Sequence, residues 1–385
     1  MKINGSWITA SSTQLVINLL IDAGHETYFV GGCVRDDLLG YKVKDIDIAS
    51  AATPEVTISI ANNAGIEFVP TGIKHGTITL IVDDKSFEIT TFRKDLVTDG
   101  RHAEVTFSSK LKEDAQRRDF TMNALYATAE GTVVDPLDGL EDLLARRLRF
   151  INDADQRIKE DYLRILRFFR FSAWYGNSHE GFDENALAAI SKNFNGLERL
   201  SKERISAEMI RLLAAPDPSP SIAAMHSSGV LQNILSGADD RLLALFVYLE
   251  IKNRLPSDPI ARLAALGGQD VQHQLRLSTQ QIKTYETLRA CMSNTIPPRE
   301  LGYRYGEHIA LISIALRAAL FKTSIKKSDL ESAKRGGLAK FPLNGEDLKD
   351  HFQGAKLGNV LKDCEKLWIA SEFRLSKEEL LHIIQ

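Results

Sequence analysis

The chain has 385 residues, a net charge of −3, 44% hydrophobic residues and 26% charged residues, as expected for a globular protein with more than one core. The small net charge excludes nucleic-acid binding through overall charge, so such a partner would need local basic patches. Three widely separated cysteines give no disulfide framework or zinc spacing and favour the reducing cytoplasm. The longest apolar run, 308–321, is interrupted by Arg317, and no basic leader precedes the apolar residues 15–21, so we expect neither a membrane span nor a signal peptide.

A short strand followed by a glycine pair is the first motif in the chain. A helix is predicted over 11–23, and the β-branched and aromatic residues 27–30 predict a strand. Gly31 and Gly32 then lead into a short helix whose first N–H groups could approach an anion. Arg35 in that first turn could hold a phosphate. Taken alone, the pattern is more typical of an ordinary strand-to-helix turn.

Asp45 and Asp47 are separated by one residue on the next predicted strand. Side chains two positions apart on a strand share a face, so the carboxylates would lie side by side. Like charges so close together repel unless a cation lies between them, and Mg²⁺ shares oxygen ligands with phosphates. The alternative is an exposed edge strand with a polar face, but after a phosphate-type turn we favour a metal site. Glu88 could add a third carboxylate, although a solvent-facing strand residue is the favoured interpretation.

The segment up to residue 145 continues with alternating helix and strand signals. Polar residues 93–104 predict a mobile loop of the kind that often carries function. Residues 114–126 have helical spacing and contain Arg118 beside a second arginine and an aspartate, usually a surface ion-pair network. Near a triphosphate, such an arginine is also a suitable counter-charge. Residues 133–143 predict a strand, a Pro/Gly turn and the start of a helix.

Strand signals largely disappear after residue 145, and a basic patch begins. Residues 146–170 contain eight Lys or Arg and four Asp or Glu. The segment 160–176 predicts one helix in which apolar residues form a core-facing stripe. Its other face carries a basic stripe formed by Arg164, Arg167 and Arg170.

Asp161 and Arg164 are neighbours on this predicted helix and have two interpretations. They could form a surface salt bridge worth about a few tenths of a kcal/mol. They could instead read a base, because a carboxylate accepts a hydrogen bond from an exocyclic amine and a guanidinium donates to ring acceptors. Adenine and cytosine carry an amine where guanine and uracil carry a carbonyl oxygen, so one pair would accept A and C and reject G and U.

The remaining sequence predicts helices, with the best linker at 214–221. Together, the motifs resemble the bacterial, class II tRNA nucleotidyltransferase and poly(A) polymerase family of the DNA polymerase β superfamily. The resemblance covers roughly the first 215 residues, in six segments that keep the family order: 31–50, 90–105, 117–126, 134–143, 160–171 and 200–213. A stretch near the C-terminus that begins FPLNGEDL is similar to the family's last helices.

The resemblance implies an α+β protein with a polymerase-β-like nucleotidyltransferase head, containing a mixed sheet and helices, over 1–145. An all-α neck would follow over 146–215, and a helical body and tail over 216–385. Within the head, Asp45 and Asp47 would be the catalytic residues and would hold Mg²⁺. Among the implied nucleotide-binding residues, Gly32, Arg35 and Arg118 would face the triphosphate. Asp161 and Arg164 would read the base, and Arg167 and Arg170 would support that reader.

The implied activity is template-independent addition of C, C and A to the 3′ end of tRNA from CTP and ATP, with release of pyrophosphate. Neither a membrane nor an obligate protein partner is implied. The alternatives are a poly(A) polymerase, a partial enzyme that adds only CC or only A, and an inactive RNA-binding module. The intact carboxylate pair argues against the last of these, and the 93–104 loop argues against a CC-only enzyme. No His-Asp dipeptide occurs, so no metal-dependent His-Asp hydrolase appendage is visible.

Overall fold

The computed structural model describes residues 1–99, 102–177 and 180–384. The chain forms two compact units, Met1–Ser236 and Gly237–Gln385. The first unit therefore extends beyond the boundary expected at 215/216, and the division into head, neck and body remains a prediction. None of the described helices is long and apolar enough to cross a membrane.

The first unit begins with a mixed α/β region. Its elements up to the end of the third helix are α1 (Ser11–Asp22), β1 (Thr27–Val30), α2 (Gly32–Leu38), β2 (Ile46–Ser50) and α3 (Pro54–Asn63). Three strands and a hairpin follow: β3 (Glu67–Gly72), β4 (Thr77–Val82), β5 (Lys85–Thr91), β6 (Arg93–Asp99) and β7 (His102–Phe107). The region ends with α4 (Leu111–Gln116), β8 (Tyr126–Ala127), β9 (Val133–Val134) and α5 (Gly139–Leu144).

Seven of these strands form one mixed sheet in the order β3-β4-β5-β2-β1-β8-β9. Only the β2–β5 pair is parallel among the described strands. Helices α1 and α3 pack on the sheet and cover buried side chains such as Phe29, Ile48 and Ile89. A second core, around Phe92 and Tyr126, includes residues of β1, β2 and β8. The central strands β1 and β2 are thereby fixed by packing, which positions the loops at their ends.

Helices complete the first unit. They are α6 (Ala154–Glu160), α7 (Leu163–Tyr175), α8 (Glu184–Asn193), α9 (Lys202–Leu213), α10 (Ser219–Ser227) and α11 (Val230–Ile234). The core-facing side of α7 buries Ile165, Leu166 and Phe169, as its spacing predicts. Helices α9 and α10 pack against α7, so this helix is the centre of the helical part. The predicted α+β fold, a mixed-sheet head followed by helices, is confirmed.

The described residues of the second unit form helices joined by loops. They are α12 (Arg241–Lys252), α13 (Pro259–Leu266), α14 (Val271–Leu275), α15 (Thr279–Ser293), α16 (Pro298–Leu320), α17 (Lys327–Leu338), α18 (Gly354–Ala370) and α19 (Lys377–Ile383). Helix α16 is kinked at Gly306, which has a φ of 82°. Helices α16 and α17 approach closely at Gly302, where a Cβ atom would lie 2.0 Å from the carbonyl oxygen of Ala333.

Three local predictions were wrong. Residues 93–104 belong largely to the paired strands β6 and β7, although residues 100–101 lie outside the described part. The helix predicted over 114–126 ends at Gln116, and a 3-10 turn and β8 follow it. The helix predicted over 160–176 is interrupted at Asp161, whose backbone is extended with φ −151° and ψ 107°.

Candidate active site

The turn between β1 and α2 depends on Gly31. This residue has a φ of 69°, and a Cβ atom there would lie 3.4 Å from the guanidinium of Arg118. Its N–H donates to the carbonyl oxygen of Leu125, just before β8. Gly32, the second glycine of the predicted pair, is the first residue of α2. The turn therefore brings the start of α2 next to Arg118, which is distant in sequence.

Asp45 and Asp47 stand at the start of β2. Asp45 precedes the strand and is exposed, whereas Asp47 is inside it and partly buried. Asp47 is in register with Glu88 on the parallel neighbour β5. Burial and the charges of Glu88 and Asp45 raise the pKa of Asp47 to about 6, although Arg118 and Arg35 oppose this shift. The carboxylate of Asp47 thus lies in a surplus of negative charge.

This charge surplus provides a test of whether the residues fit a metal ion. Within the described ranges, no three His, Cys, Asp or Glu side chains are grouped to hold a metal together. Mg²⁺ commonly binds to one or two carboxylates and takes its other ligands from phosphates and water. A cation beside Asp45 and Asp47 would offset the burial and the neighbouring carboxylate charges that raise the pKa of Asp47. The pair therefore fits a magnesium ion that binds together with a nucleotide, and Glu88 is exposed beside it.

Arg35 is 6% exposed and is held by three neighbouring side chains. Its Nε donates to Asp36 at 2.9 Å and its Nη1 to the Asn123 side-chain oxygen at 2.6 Å. Its Nη2 donates to the hydroxyl of Tyr175, at the end of α7, at 2.8 Å, and also to Asp36. One N–H on Nη1 has no partner in the described part of the chain.

Arg118 is fixed by a buried carboxylate and a tyrosine. Its guanidinium donates to Asp114 and to the Tyr126 hydroxyl, each at 3.1 Å. The Tyr126 hydroxyl in turn donates to Asp114 at 2.8 Å. Burial raises the pKa of Asp114, but the charges of Arg118 and Arg117 lower this pKa overall. The charge of Arg118 also opposes the rise in the pKa of Asp47.

Asp161 lies between α6 and α7 instead of within a helix. One carboxylate oxygen accepts the N–H of Leu163 at 3.0 Å, which fixes the start of α7. The other accepts from Arg204 on α9 at 2.8 Å. The surface salt bridge between Asp161 and Arg164, one of the two interpretations of these residues, does not form, because Asp161 pairs with Arg204 and Arg164 with Glu160. The carboxylate keeps free lone pairs and is partly exposed.

Arg164 pairs with a different acid. Its Nη1 donates to Glu160 at 2.7 Å and to the carbonyl oxygen of Arg157 at 2.9 Å. Its Nη2 donates to the carbonyl oxygen of Arg117 at 3.3 Å, which joins α7 to the turn after α4. The Nε–H of Arg164 has no partner among residues 1–99, 102–177 and 180–384, so it is available to a ring acceptor.

Arg167 and Arg170 are ion-paired through their Nε atoms. Arg167 donates to Asp119 at 2.7 Å, and Arg170 to Glu208 on α9 at 2.6 Å. Asp119 also accepts the side-chain N–H of Asn123 at 3.0 Å. Because the oxygen of Asn123 is bound to Arg35, one hydrogen-bonded chain runs from Arg35 to Arg167. The structure thus joins the predicted phosphate-binding and base-reading groups.

The partners of the predicted arginines were not identified from the sequence. Asp114, Asp119 and Asn123 lie in the segment predicted to be one long helix, and Arg204 and Glu208 lie on α9. The only sequence signal for these partners was the run of two arginines directly followed by Asp119, which indicated an ion-pair network. The pairing of Asp161 with Arg204 spans 43 positions, and no local spacing encodes it.

Comparison with known proteins agrees with this architecture. Residues 27–149 match the family described as "Poly A polymerase head domain", and residues 181–242 match "Probable RNA and SrmB- binding site of polymerase A". The CCA-adding enzyme of Latilactobacillus sakei is 32% identical, over 93% of this chain and 94% of that protein. The mitochondrial CCA tRNA nucleotidyltransferase 1 of Danio rerio is 31% identical, over 92% and 86% respectively.

A solved structure supports the same relationship. The Bacillus stearothermophilus CCA-adding enzyme in complex with CTP matches with a TM-score of 0.73 and 26% identity, and covers 94% of this chain and 93% of that one. Fold and matches together define a nucleotidyltransferase with a poly(A) polymerase-type head domain. The chain belongs to the family of the CCA-adding enzymes, and the family prediction from its motifs is confirmed.

Proposed function

We propose that this protein is a CCA tRNA nucleotidyltransferase, which adds C, C and A to the 3′ end of tRNA from CTP and ATP without a template. The observation that carries the proposal is the extent of the similarity. It includes the helical second unit as well as the head, over 93% of this chain and 94% of a CCA-adding enzyme. Homology limited to the head would support only nucleotidyl transfer.

In this proposal, the groups that bind a nucleotide irrespective of its base lie around β2. Arg118 and the free N–H of Arg35 bind the triphosphate, with the start of α2 at Gly32 beside them. Asp45 and Asp47 hold Mg²⁺, which when bound supplies activation of the attacking 3′-hydroxyl and charge neutralisation on the pyrophosphate. The turn at Gly31 keeps these groups adjacent.

The choice of base is assigned to Asp161 and Arg164. The free lone pairs of Asp161 accept the amine of adenine or cytosine, and the Nε–H of Arg164 donates to a ring nitrogen. Guanine and uracil place a carbonyl oxygen against the carboxylate and leave it unsatisfied. Arg167 and Arg170 support this reader through their pairs with Asp119 and Glu208.

The remaining assignments follow the same homology. The head, neck, and body with tail correspond to residues 1–145, 146–215 and 216–385, and the helical parts bind tRNA. Because RNA backbone contacts release counterions, tRNA binding weakens steeply with salt. We also place the protein in the cytoplasm, in accord with its three free cysteines. Subcellular fractionation that recovered it in another compartment would contradict this location.

The function is tested with defined RNA ends. Purified protein is incubated with tRNA transcripts that end before CCA or after CC, and with an unrelated RNA, each with one labelled nucleotide at a time. We expect C on the first transcript, A on the second, and neither on the unrelated RNA. Long A tracts on unrelated RNA would identify a poly(A) polymerase. Incorporation on one transcript alone would identify a partial enzyme.

The base reader is tested by Asp161→Ala. Because loss of the acceptor removes the penalty for a carbonyl oxygen, we expect discrimination against GTP and UTP to fall by about 10-fold or more. The measurement is the ratio of kcat/KM values for CTP and UTP on a tRNA lacking CCA. Asp155→Ala on α6 is the control, because that aspartate is paired with Lys159 near the same helix junction. Unchanged discrimination in Asp161→Ala would reject the base-reader assignment.

A further inference from the structure

An aromatic and basic patch borders the start of β2. The side chain of Tyr41 is 43% exposed. Its hydroxyl accepts a hydrogen bond from Arg146 Nη1 at 3.0 Å, and the guanidinium carbon lies 5.7 Å from the ring centre. Lys42 and Lys44 are exposed on the same loop. We call these four residues the Tyr41 patch.

The cations of this patch have no acidic partner. Within the described residues, neither Lys42, Lys44 nor Arg146 forms an ion pair, whereas the arginines assigned to the nucleotide are each paired with a carboxylate. The acids nearest in the chain are Asp45, which directly follows Lys44, and Asp37, which accepts hydrogen bonds from the Gly5 N–H and the Trp7 indole N–H. The patch therefore presents three positive charges that an external anion can neutralise.

The patch is continuous with the proposed catalytic centre. Lys44 directly precedes Asp45. The ring of Tyr41 lies 6.0 Å from the ring of Tyr175, which binds Arg35. For the 3′-hydroxyl of an RNA to reach the carboxylate pair, its last nucleotides must cross neighbouring surface. The exposed ring and cations lie on such surface.

We propose that the Tyr41 patch binds the 3′-terminal segment of the RNA substrate. A terminal base stacks on the Tyr41 ring, which Arg146 orients, and Lys42 and Lys44 contact phosphates. Aromatic rings beside a basic surface bind single-stranded nucleic acid with little sequence preference. This tolerance suits a CCA-adding enzyme, because the terminal base differs after each addition. The inference rests on the proposed function and assigns to it a site for the RNA end.

The first test uses steady-state kinetics with a tRNA lacking CCA. Because stacking contributes about 1–3 kcal/mol per base, Tyr41→Ala is expected to raise the KM for tRNA about 10-fold. The KM for CTP and the ratio of CTP to UTP use should stay unchanged. Tyr41→Phe and Tyr41→Trp keep a stacking surface and should stay within about threefold of the wild type.

The second test uses salt dependence and fluorescence. The double variant Lys42→Ala/Lys44→Ala should reduce the slope of log binding constant against log salt by about one to two. Lys2→Ala is the control, because Lys2 is exposed and bridges to Thr132 next to the edge strand β9, whereas the patch borders the central strand β2. A 2-aminopurine at the RNA terminus should be quenched by the wild type and by Tyr41→Trp, but not by Tyr41→Ala.

The outcomes separate the two proposals. A wild-type protein that extends no tRNA would overturn the proposed function. An active wild type whose tRNA KM, salt slope and fluorescence do not respond to these variants would overturn the RNA-end site and leave a protein partner as the occupant of the patch. If Tyr41→Ala does not fold, as judged by circular dichroism, the salt slope of the double lysine variant still decides.

Discussion

The carboxylate of Asp47 carries a charge that the folded, metal-free chain disfavours. Burial and the neighbouring Glu88 raise its pKa to about 6. A group whose pKa is raised by folding stabilises the folded state fully at pH values below its pKa in the unfolded chain. For Asp47 this contribution is lost as the pH rises through about 6. The candidate metal site therefore holds repulsion that a cation would release.

Asp47→Asn is expected to remove both this repulsion and nucleotide incorporation. In EDTA at pH 8, the variant should be more stable than the wild type by about 1–3 kcal/mol, because an amide has no charge to bury. Below pH 4 the advantage should disappear, since Asp47 is then protonated in both folded and unfolded chains. Denaturant unfolding at the two pH values measures this difference. Asp83→Asn, in the exposed turn before β5, should show no such pH dependence.

Asp119 is one of the residues that join the turn after α4 to helix α7, through its pair with Arg167. Although burial raises it, the charge of Arg167 and a hydrogen bond from Asn123 hold the pKa of Asp119 well below its usual range. A lowered folded-state pKa contributes stability above the unfolded-state value near 4 and loses it as the pH falls. This pair therefore couples the sheet region to the helices at neutral pH.

Asp119→Asn should destabilise the protein by about 1–3 kcal/mol at pH 7, because it removes the ion-pair partner of the partly buried Arg167. The difference from the wild type should shrink below pH 4. Denaturant unfolding across this pH range provides the measurement. Asp155→Asn is the matched control, because its contacts with Lys159, Lys192 and Asn193 are solvent-accessible and should contribute little. Equal effects of both substitutions would show that Asp119 does not join the two regions.

Helix α7 shows what the sequence can and cannot predict. The buried stripe of Ile165, Leu166 and Phe169 follows from spacing, because a helix repeats every 3.6 residues. The break at Asp161 does not, since an aspartate that binds a nearby N–H competes with helix continuation without changing the apolar pattern. The partners of the arginines were missed for a related reason, because they come from other elements.

The hairpin β6–β7 was missed because its residues lack an apolar alternation. Periodicity identifies a strand when one face is buried, and residues 93–104 are mostly polar and charged. By contrast, the turn at Gly31 was predicted correctly, and the sequence Thr53-Pro54, an N-cap residue followed by proline, predicts the helix that α3 forms. Their signals are local, since Gly31 adopts a positive φ and Thr53 accepts the N–H of Val56 at the helix start.

The first compact unit should fold as an independent fragment that ends at Ser236. Helices α10 and α11 bury Ile222, Met225 and Leu231, so a fragment that ends at residue 215 exposes the surface they cover. A net loss of about 3 kcal/mol would lower its Tm by roughly 10 °C relative to the fragment 1–236. Thermal unfolding followed by circular dichroism compares the two fragments. Equal Tm values would instead support a neck that ends at 215.

The ion pairs of the arginines in the first unit reduce the net free energy that each of their contacts contributes to nucleotide binding. Each of these side chains already has a carboxylate partner: Arg35 with Asp36, Arg118 with Asp114, Arg164 with Glu160, Arg167 with Asp119 and Arg170 with Glu208. A phosphate or base that binds to the remaining N–H groups of these arginines meets a cation whose charge is already balanced, so the net gain per contact is small. Because the charges are compensated beforehand, the affinity for CTP should vary little with ionic strength, in contrast to the affinity for tRNA.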